Sequence, residues 1–240
     1  MTSFDLPPLL PAEHLAADEV LLDAAEAGSG GECLLFWEPQ ETFVVVGYAN
    51  KVAAEVDLVA CERFGVPVFR RCSGGGTVVQ MPGGLNYSVI LRITEGGPTR
   101  NISAANAFIM EQTRAAIQTL VSGATVSVRG HTDLCVGELK VAGNAQRRRK
   151  NFLLFHGTLL LNCELIRIGE LLRMPSLQPD YRAGRSHGEF VTNLGLPAAA
   201  VKNALTRAWG ANESQTELPL AEIKKLAHER YLTREWNFKF

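Results

Sequence analysis

Seven residues, Arg70-Arg71-Cys72-Ser73-Gly74-Gly75-Gly76, carry the clearest chemical signal in this 240-residue chain. Three consecutive glycines between two apolar strand-like runs, Val66–Arg70 and Thr77–Gln80, are a costly connection, because each glycine loses roughly 0.5–1 kcal/mol relative to alanine on ordering. What offsets that cost is close approach of main-chain N–H groups to a ligand oxygen, carboxylate or phosphate. The paired arginines add fixed positive charge and fork-shaped donors. These residue types point to an anionic small molecule; the competing reading is a simple glycine-rich turn.

Two further segments bear on the choice. In Lys140-Val141-Ala142-Gly143-Asn144-Ala145-Gln146 a lysine is followed at once by small residues and two side-chain amides. Such a cation beside crowded small residues suits a ligand wall, where it neutralises a phosphate or carboxylate and stabilises the charge that develops in acyl transfer. A strand-end lysine in solvent is the plain alternative. In Phe155-His156-Gly157-Thr158-Leu159-Leu160-Leu161 a histidine and a threonine interrupt an apolar run, and buried polar side chains need partners. A satisfied core histidine is the competing reading there.

The elements that must position these groups alternate along the chain. Pro11–Ala27 reads as a helix opened by proline, Cys33–Trp37 and Thr42–Tyr48 as short buried strands, and Val56–Phe64 as a helix. Asn86–Arg92 is strand-like, with Tyr87, Val89 and Leu91 on one face and Ser88, Ile90 and Arg92 on the other. Ser103 is placed to cap a helix through Val121. Thr125–Arg129 is a strand, His131–Ala142 a hairpin turning at Gly137-Glu138, and Phe152–Asn162 a strand interrupted at His156-Gly157. Helices follow at Glu164–Arg173, Ala198–Trp209 and Leu220–Tyr231, with a long loop from Met174 to Leu196 that reads as functional. The fold class is α+β: a mixed, mainly antiparallel β-sheet with packed helices.

Composition excludes several function classes. With 46% apolar residues and a formal net charge of −1, the chain can bury a sizeable core and is no general nucleic-acid binder. No apolar run reaches the roughly 18–20 residues of a membrane span, and the N-terminus lacks a secretory pattern, so a cytoplasmic protein is expected. The five cysteines, Cys33, Cys61, Cys72, Cys135 and Cys163, form no CxxC pair or metal-ligand cluster and read as reduced thiols.

Taken in order, the three segments resemble the lipoate-protein ligase A family of the biotin/lipoate ligase superfamily: Arg-Arg-x-Ser-Gly-Gly-Gly, then Lys140 with Gly143-Asn144-Ala145-Gln146, then His156-Gly157-Thr158-Leu159-Leu160. The resemblance also takes in Phe43-Val44-Val45-Val46-Gly47, Glu55 and the C-terminal Arg230–Asn237. It implies a class II aminoacyl-tRNA synthetase/biotin ligase-like catalytic domain over residues 1–240, without the small accessory domain that follows it in ligases performing both half-reactions. It further implies that lipoate or octanoate is activated with ATP and Mg2+ to an acyl-adenylate. The acyl group then passes to a lysine of a lipoyl domain, in 2-oxoacid dehydrogenase acyltransferase subunits or H-protein-like acceptors, with a separate small subunit a possible partner. Carried over by position, Arg70, Ser73, Gly74, Gly75 and Gly76 hold the acyl-adenylate. Lys140 polarises the mixed anhydride, Gly143 and Asn144 line the adenylate, and His156 and Thr158 border the pocket. No metal ligand is assigned.

The chain departs from that pattern where Gln80 and Gly84 replace the usual histidine and asparagine. Two alternatives stay open. One is an octanoyl or lipoyl transferase using a pre-activated acyl donor without ATP, whose relatives need a cysteine nucleophile. None of Thr125 to Arg129 is cysteine, Cys135 reads as a buried structural thiol, and Cys72 sits at the family's variable position. The other is a non-catalytic acyl-binding homologue. The basic run Arg147-Arg148-Arg149-Lys150 is either a solvated turn or a steering patch for acidic acceptors, and Tyr181, Arg182, Arg185, Ser186 and His187 make the Pro175–Gly188 loop a candidate cover.

Overall fold

The computed structural model describes residues 1–211 and 218–240, together with the backbone of Glu213 and Ser214. The elements in chain order are β1 (Thr2–Asp5), α1 (Pro11–Ala27), β2 (Cys33–Trp37), β3 (Phe43–Val46), α2 (Val52–Glu55), α3 (Leu58–Phe64), β4 (Val68–Arg70), β5 (Val78–Gln80) and β6 (Gly84–Arg92). Then come α4 (Ile102–Gln118), β7 (Val126–Arg129), β8 (Asp133–Val136), β9 (Leu139–Arg148), β10 (Phe152–Leu160), α5 (Ile166–Leu171), α6 (His187–Phe190), α7 (Ala198–Ala208), β11 (Glu213–Ser214), α8 (Leu220–Leu226) and α9 (Arg234–Asn237). An eight-stranded sheet runs β11-β1-β2-β6-β10-β9-β8-β7, antiparallel from β2 to β7, and a three-stranded sheet runs β4-β3-β5.

Period-two alternation divides the core. Leu34 and Phe36 of β2, Leu85, Tyr87, Val89 and Leu91 of β6, and Leu153, Phe155 and Leu159 of β10 pack on one face against Ile109 and Met110 of α4 and Val201 and Leu205 of α7. Cys33, Leu35, Trp37, Ile90 and Leu154 point to the other face, where α1 lies with Leu15, Ala16 and Leu22. The small sheet, α2, α3 and α5 share a third cluster that includes Val44, Val46, Leu160 and Leu171.

Several boundaries differ from the sequence reading. The helix expected over Val56–Phe64 is interrupted: Val56 is extended and bridges Leu172, and the Asp57 carboxylate accepts the Ala60 N–H at 2.9 Å to start α3. Asn101, not Ser103, caps α4, accepting the Ala104 N–H at 2.8 Å. β10 passes through His156-Gly157 without a break, because both neighbours, β6 and β9, pair along it. The final helix widens to a π turn over Ala227–Tyr231. The Met174–Leu196 loop contains a 3-10 turn at Asp180–Arg182 and α6. The basic run is no free turn: Arg147 and Arg148 end β9, where Arg148 donates to the Thr99 carbonyl, and Arg149 pairs with Asp23 and Glu19.

Candidate functional site

Between the α1-bearing face of the large sheet and the small sheet lies a cavity of about 830 Å³. Strand register gives it a floor. Trp37, Asn86, Thr158, Gly143 and Asp133 stand in one row across β2, β6, β10, β9 and β8, and Leu35, Ser88, His156 and Ala145 in the next. Four interstrand steps of about 4.8 Å separate Trp37 from Asp133, a span of about 19 Å. Leu15, Trp37, Val45 and Val78 form apolar wall, whereas Lys140, Arg173, Arg182 and His187 bring positive or protonatable groups.

Lys140 and the glycine loop border this same cavity. The Lys140 ammonium lies 2.8 Å from the Asp133 carboxylate, with both side chains largely buried, and the Tyr181 hydroxyl donates to the other Asp133 oxygen at 2.7 Å. Burial and the neighbouring Asp133 push the Tyr181 phenol well up, so it stays a neutral donor. Gly143 is required for this arrangement, since a Cβ there would stand 2.8 Å from the Lys140 Nζ. Asn144 turns its side chain to the opposite face, where it accepts the Tyr87 hydroxyl at 2.7 Å and donates to the Thr132 carbonyl at 2.7 Å. Only the backbone of Asn144 is left to face a ligand.

The two arginines of the loop separate in role, contrary to the expectation for Arg70. Its side chain is fully buried outside the cavity and spends its donors on five carbonyls, those of Gly47, Tyr48, Asn50, Trp236 and Asn237, at 2.8–3.1 Å. Arg70 and Arg71 follow each other at the end of β4 and point to opposite sides, so only Arg71 reaches the cavity. Arg71 donates from Nε to the Ser73 hydroxyl at 2.9 Å and from Nη2 to the Gly74 and Gly76 carbonyls. Gly75, between them, has φ of +85°, a conformation that leaves no room for a side chain beneath the Arg71 guanidinium 2.9 Å away. With those carbonyls turned onto Arg71, the Gly75 and Thr77 N–H groups point away from it. Gly75, Gly76 and Thr77 line the cavity; Ser73, which is buried, and Gly74, which is exposed, do not.

Gln80 is held in a side-chain network on the cavity wall. Its amide exchanges hydrogen bonds with the Asn86 amide at 2.9 and 2.8 Å and donates to the Thr158 hydroxyl at 2.8 Å, while Thr158 donates to Asn86 at 2.6 Å. Three polar side chains thereby satisfy one another on the cavity floor. His156 spans Asp18 and Ser73, at 2.6 Å on each side.

The 174–196 segment does cover the cavity. Arg182, 4% exposed, donates to the Arg185 carbonyl at 2.9 Å and lies over the Phe190 ring, and among the described residues it has no carboxylate partner. Glu55, also buried, accepts the Ser176 hydroxyl and so ties this segment to α2. Burial, assisted by the Arg182 and Lys140 charges, lowers the His187 pKa. Arg182 and His187 show in the sequence only as part of a donor-rich loop, Arg173 only as the end of an expected helix, and Asp18 gives no signal at all.

All five cysteines are buried, and none lines the cavity. Burial pushes the Cys72 thiol up to about 12 and raises that of Cys135, which is fully buried and donates to the Tyr181 hydroxyl. No group of three His, Cys, Asp or Glu suited to a metal ion occurs among the described residues, and no described helix is long and apolar enough to cross a membrane.

Known proteins resemble this chain in sequence and in fold. Residues 10–208 match the lipoyl protein ligase A/B catalytic domain. The octanoyltransferase LipM of Carboxydothermus hydrogenoformans is 28% identical, covering 95% of this chain and 95% of its own. Lipoate-protein ligase A subunit 1 of Thermoplasma acidophilum is 26% identical over 93% of this chain and 90% of its own. Among solved structures, lipoate-protein ligase A with bound ATP superposes with a TM-score of 0.81 at 25% identity, covering 99% of each chain.

Proposed function

Because the chain belongs to the lipoyl protein ligase A/B catalytic domain family, we propose that it is a lipoate-protein ligase, activating lipoate or octanoate with ATP and passing the acyl group to a lysine of a lipoyl domain. The observation that carries this reading is the meeting of Lys140, the glycine loop and Arg182 around one cavity that also has an apolar stretch of wall at Leu15, Trp37, Val45 and Val78. An aliphatic acid fits with its chain on Leu15, Trp37, Val45 and Val78 and its carboxylate toward the N–H groups of Gly75 and Thr77 and the Lys140 ammonium.

In the first step a carboxylate oxygen forms a bond to the α-phosphorus of ATP as the bond to pyrophosphate breaks. The Lys140, Arg173 and Arg182 cations stabilise the accumulating charge, and Lys140 and Arg182 cost little reorganisation because Asp133 and the Arg185 carbonyl already hold them. In the second step the acceptor amine adds to the acyl carbon, AMP departs with the C–O bond, and the amine proton is released. Lys140 draws electron density from the carbonyl and leaving phosphate in both. Its pairing with Asp133 holds the ammonium in place at the cavity, which suits an electrophilic role. Magnesium would enter with the nucleotide phosphates, an arrangement that needs only one or two protein carboxylates; Asp180 lines the cavity, whereas Asp133 is engaged by Lys140 and Tyr181.

A second reading is favoured by the likeness to LipM: acyl transfer from a pre-activated donor without ATP. It lacks a nucleophile here, since no cysteine reaches the cavity. The third, non-catalytic acyl binding, is disfavoured by a complete cationic end. The name of the Thermoplasma relative, a subunit 1, supports a separate small subunit as a partner. Incubation with lipoate or octanoate, ATP, magnesium and an apo lipoyl domain, with and without a candidate small subunit, separates the three. ATP-dependent acylation supports the ligase, ATP-independent transfer from an acyl carrier the second reading, and tight binding without turnover the third.

A further inference from the structure

A buried hydrogen-bonded chain leads from α1 to the glycine loop. The Asp18 carboxylate, 4% exposed, accepts the Ser88 hydroxyl at 2.6 Å on one oxygen and lies 2.6 Å from the His156 Nδ1 on the other. The opposite ring nitrogen, Nε2, is 2.6 Å from the hydroxyl of Ser73, which is wholly buried and also receives the Arg71 Nε–H at 2.9 Å. Donor and acceptor accounting fixes the protons. A carboxylate only accepts, so Nδ1 carries the hydrogen; the Ser73 hydroxyl, already receiving the Arg71 Nε–H, needs an acceptor for its own proton, and the Nε2 lone pair supplies it. Ser73 receives Arg71 on one lone pair and sends its single proton to that Nε2. Each link leaves the next with one orientation.

We propose that Asp18 is a positioning residue for the glycine loop. By holding the His156 proton on Nδ1 it commits the Ser73 hydroxyl to Nε2, and so leaves the Gly74 and Gly76 carbonyls entirely to Arg71. Without Asp18 the imidazole is free to carry its proton on Nε2 and donate to Ser73. The serine proton must then seek another acceptor, in competition with Arg71 for those loop carbonyls. Since the peptide unit is rigid, turning a Gly74 or Gly76 carbonyl turns the Gly75 or Thr77 N–H as well. The donors offered to a ligand anion are thus set from a helix on the far side of the loop. The catalytic consequence rests on the acyl-adenylate reading above; the position of the proton does not.

Two measurements test it. With 15N-labelled histidine, NMR of the full chain reports which ring nitrogen of His156 is protonated: Nδ1 in the wild type and in S73A, Nε2 in D18A. In acyl-adenylate formation, D18A lowers kcat/KM about 10- to 100-fold, as loss of an orienting partner commonly does, and D18N, which keeps an acceptor facing Nδ1, recovers most of it. The D18A/S73A double variant is no worse than the poorer single one within about 2-fold, because the residues act as one unit. An unchanged tautomer in D18A, unchanged kcat/KM, or losses that multiply in the double variant would each overturn the proposal. Should D18A not fold, H156N, which still donates to Asp18 but falls short of Ser73, is compared with S73A in the same way. A wild type that forms no acyl-adenylate removes the reaction assigned above and leaves the NMR result to decide the role of Asp18.

Discussion

Replacing Arg70 by methionine should unfold the protein far sooner rather than act on ligand binding. Its five contacts to main-chain carbonyls at 2.8–3.1 Å join the end of β3 to the C-terminal Trp236 and Asn237. Hydrogen bonds from a charged donor contribute about 1.5–3 kcal/mol each, but geometric sharing and relaxation reduce a set converging on one guanidinium, and about 1 kcal/mol per contact is a conservative figure. That gives about 5 kcal/mol, in the range found when a buried charged network is broken. For a domain of this length each kcal/mol moves Tm by about 2–4 °C, so R70M should melt about 10–20 °C lower. R70K, with three donors instead of five, should fall between. Differential scanning calorimetry measures both. An R70M melting point within about 2 °C of wild type would refute the view that this side chain holds the C-terminal segment to the sheet.

Other perturbations act on the site. G143A puts a methyl 2.8 Å from the Lys140 Nζ, the end of a flexible chain, so the fold should survive with Tm nearly unchanged while kcat for acyl activation falls about 10-fold or more. R182M should raise the KM for ATP more than that for the acid, read from initial rates; equal effects would contradict its assignment to the phosphate end. His14 stacks on Trp37 at 4.3 Å and burial lowers its pKa from 6.5 to about 4. The unfolded chain therefore binds the extra proton first, and stability is lost as pH falls from about 6.5 to about 4, by up to about 3 kcal/mol. H14F should abolish that loss, and Tm-against-pH curves that stay parallel to wild type would contradict it.

How much of this was legible in the residues depends on whether a signal was local. The triple glycine, Lys140 with its small neighbours, and the His156/Thr158 interruption are local, and most of them do meet at one cavity. The α+β class and the alternation of Tyr87, Val89 and Leu91 followed from period-two patterning, which burial enforces. What could not be read were choices made by tertiary partners. Arg70 and Arg71 are neighbours of the same type, and only the carbonyls around the former assign it to the scaffold. Asn144 looked like a ligand group until strand pleating turned it toward Tyr87. Asp18 lies in a helix far along the chain from His156, with nothing local to mark it, and Gln80 is intelligible only beside Asn86 and Thr158.

The most direct test of the central claim is formation of acyl-AMP from octanoate or lipoate and ATP, followed by pyrophosphate release, in wild type and K140A. The account predicts ATP-dependent product in the wild type, with any required small subunit supplied, and a fall of at least about 100-fold in K140A assayed well below its melting temperature. Full activity in K140A, or acyl transfer by the wild type that needs no ATP, would contradict it.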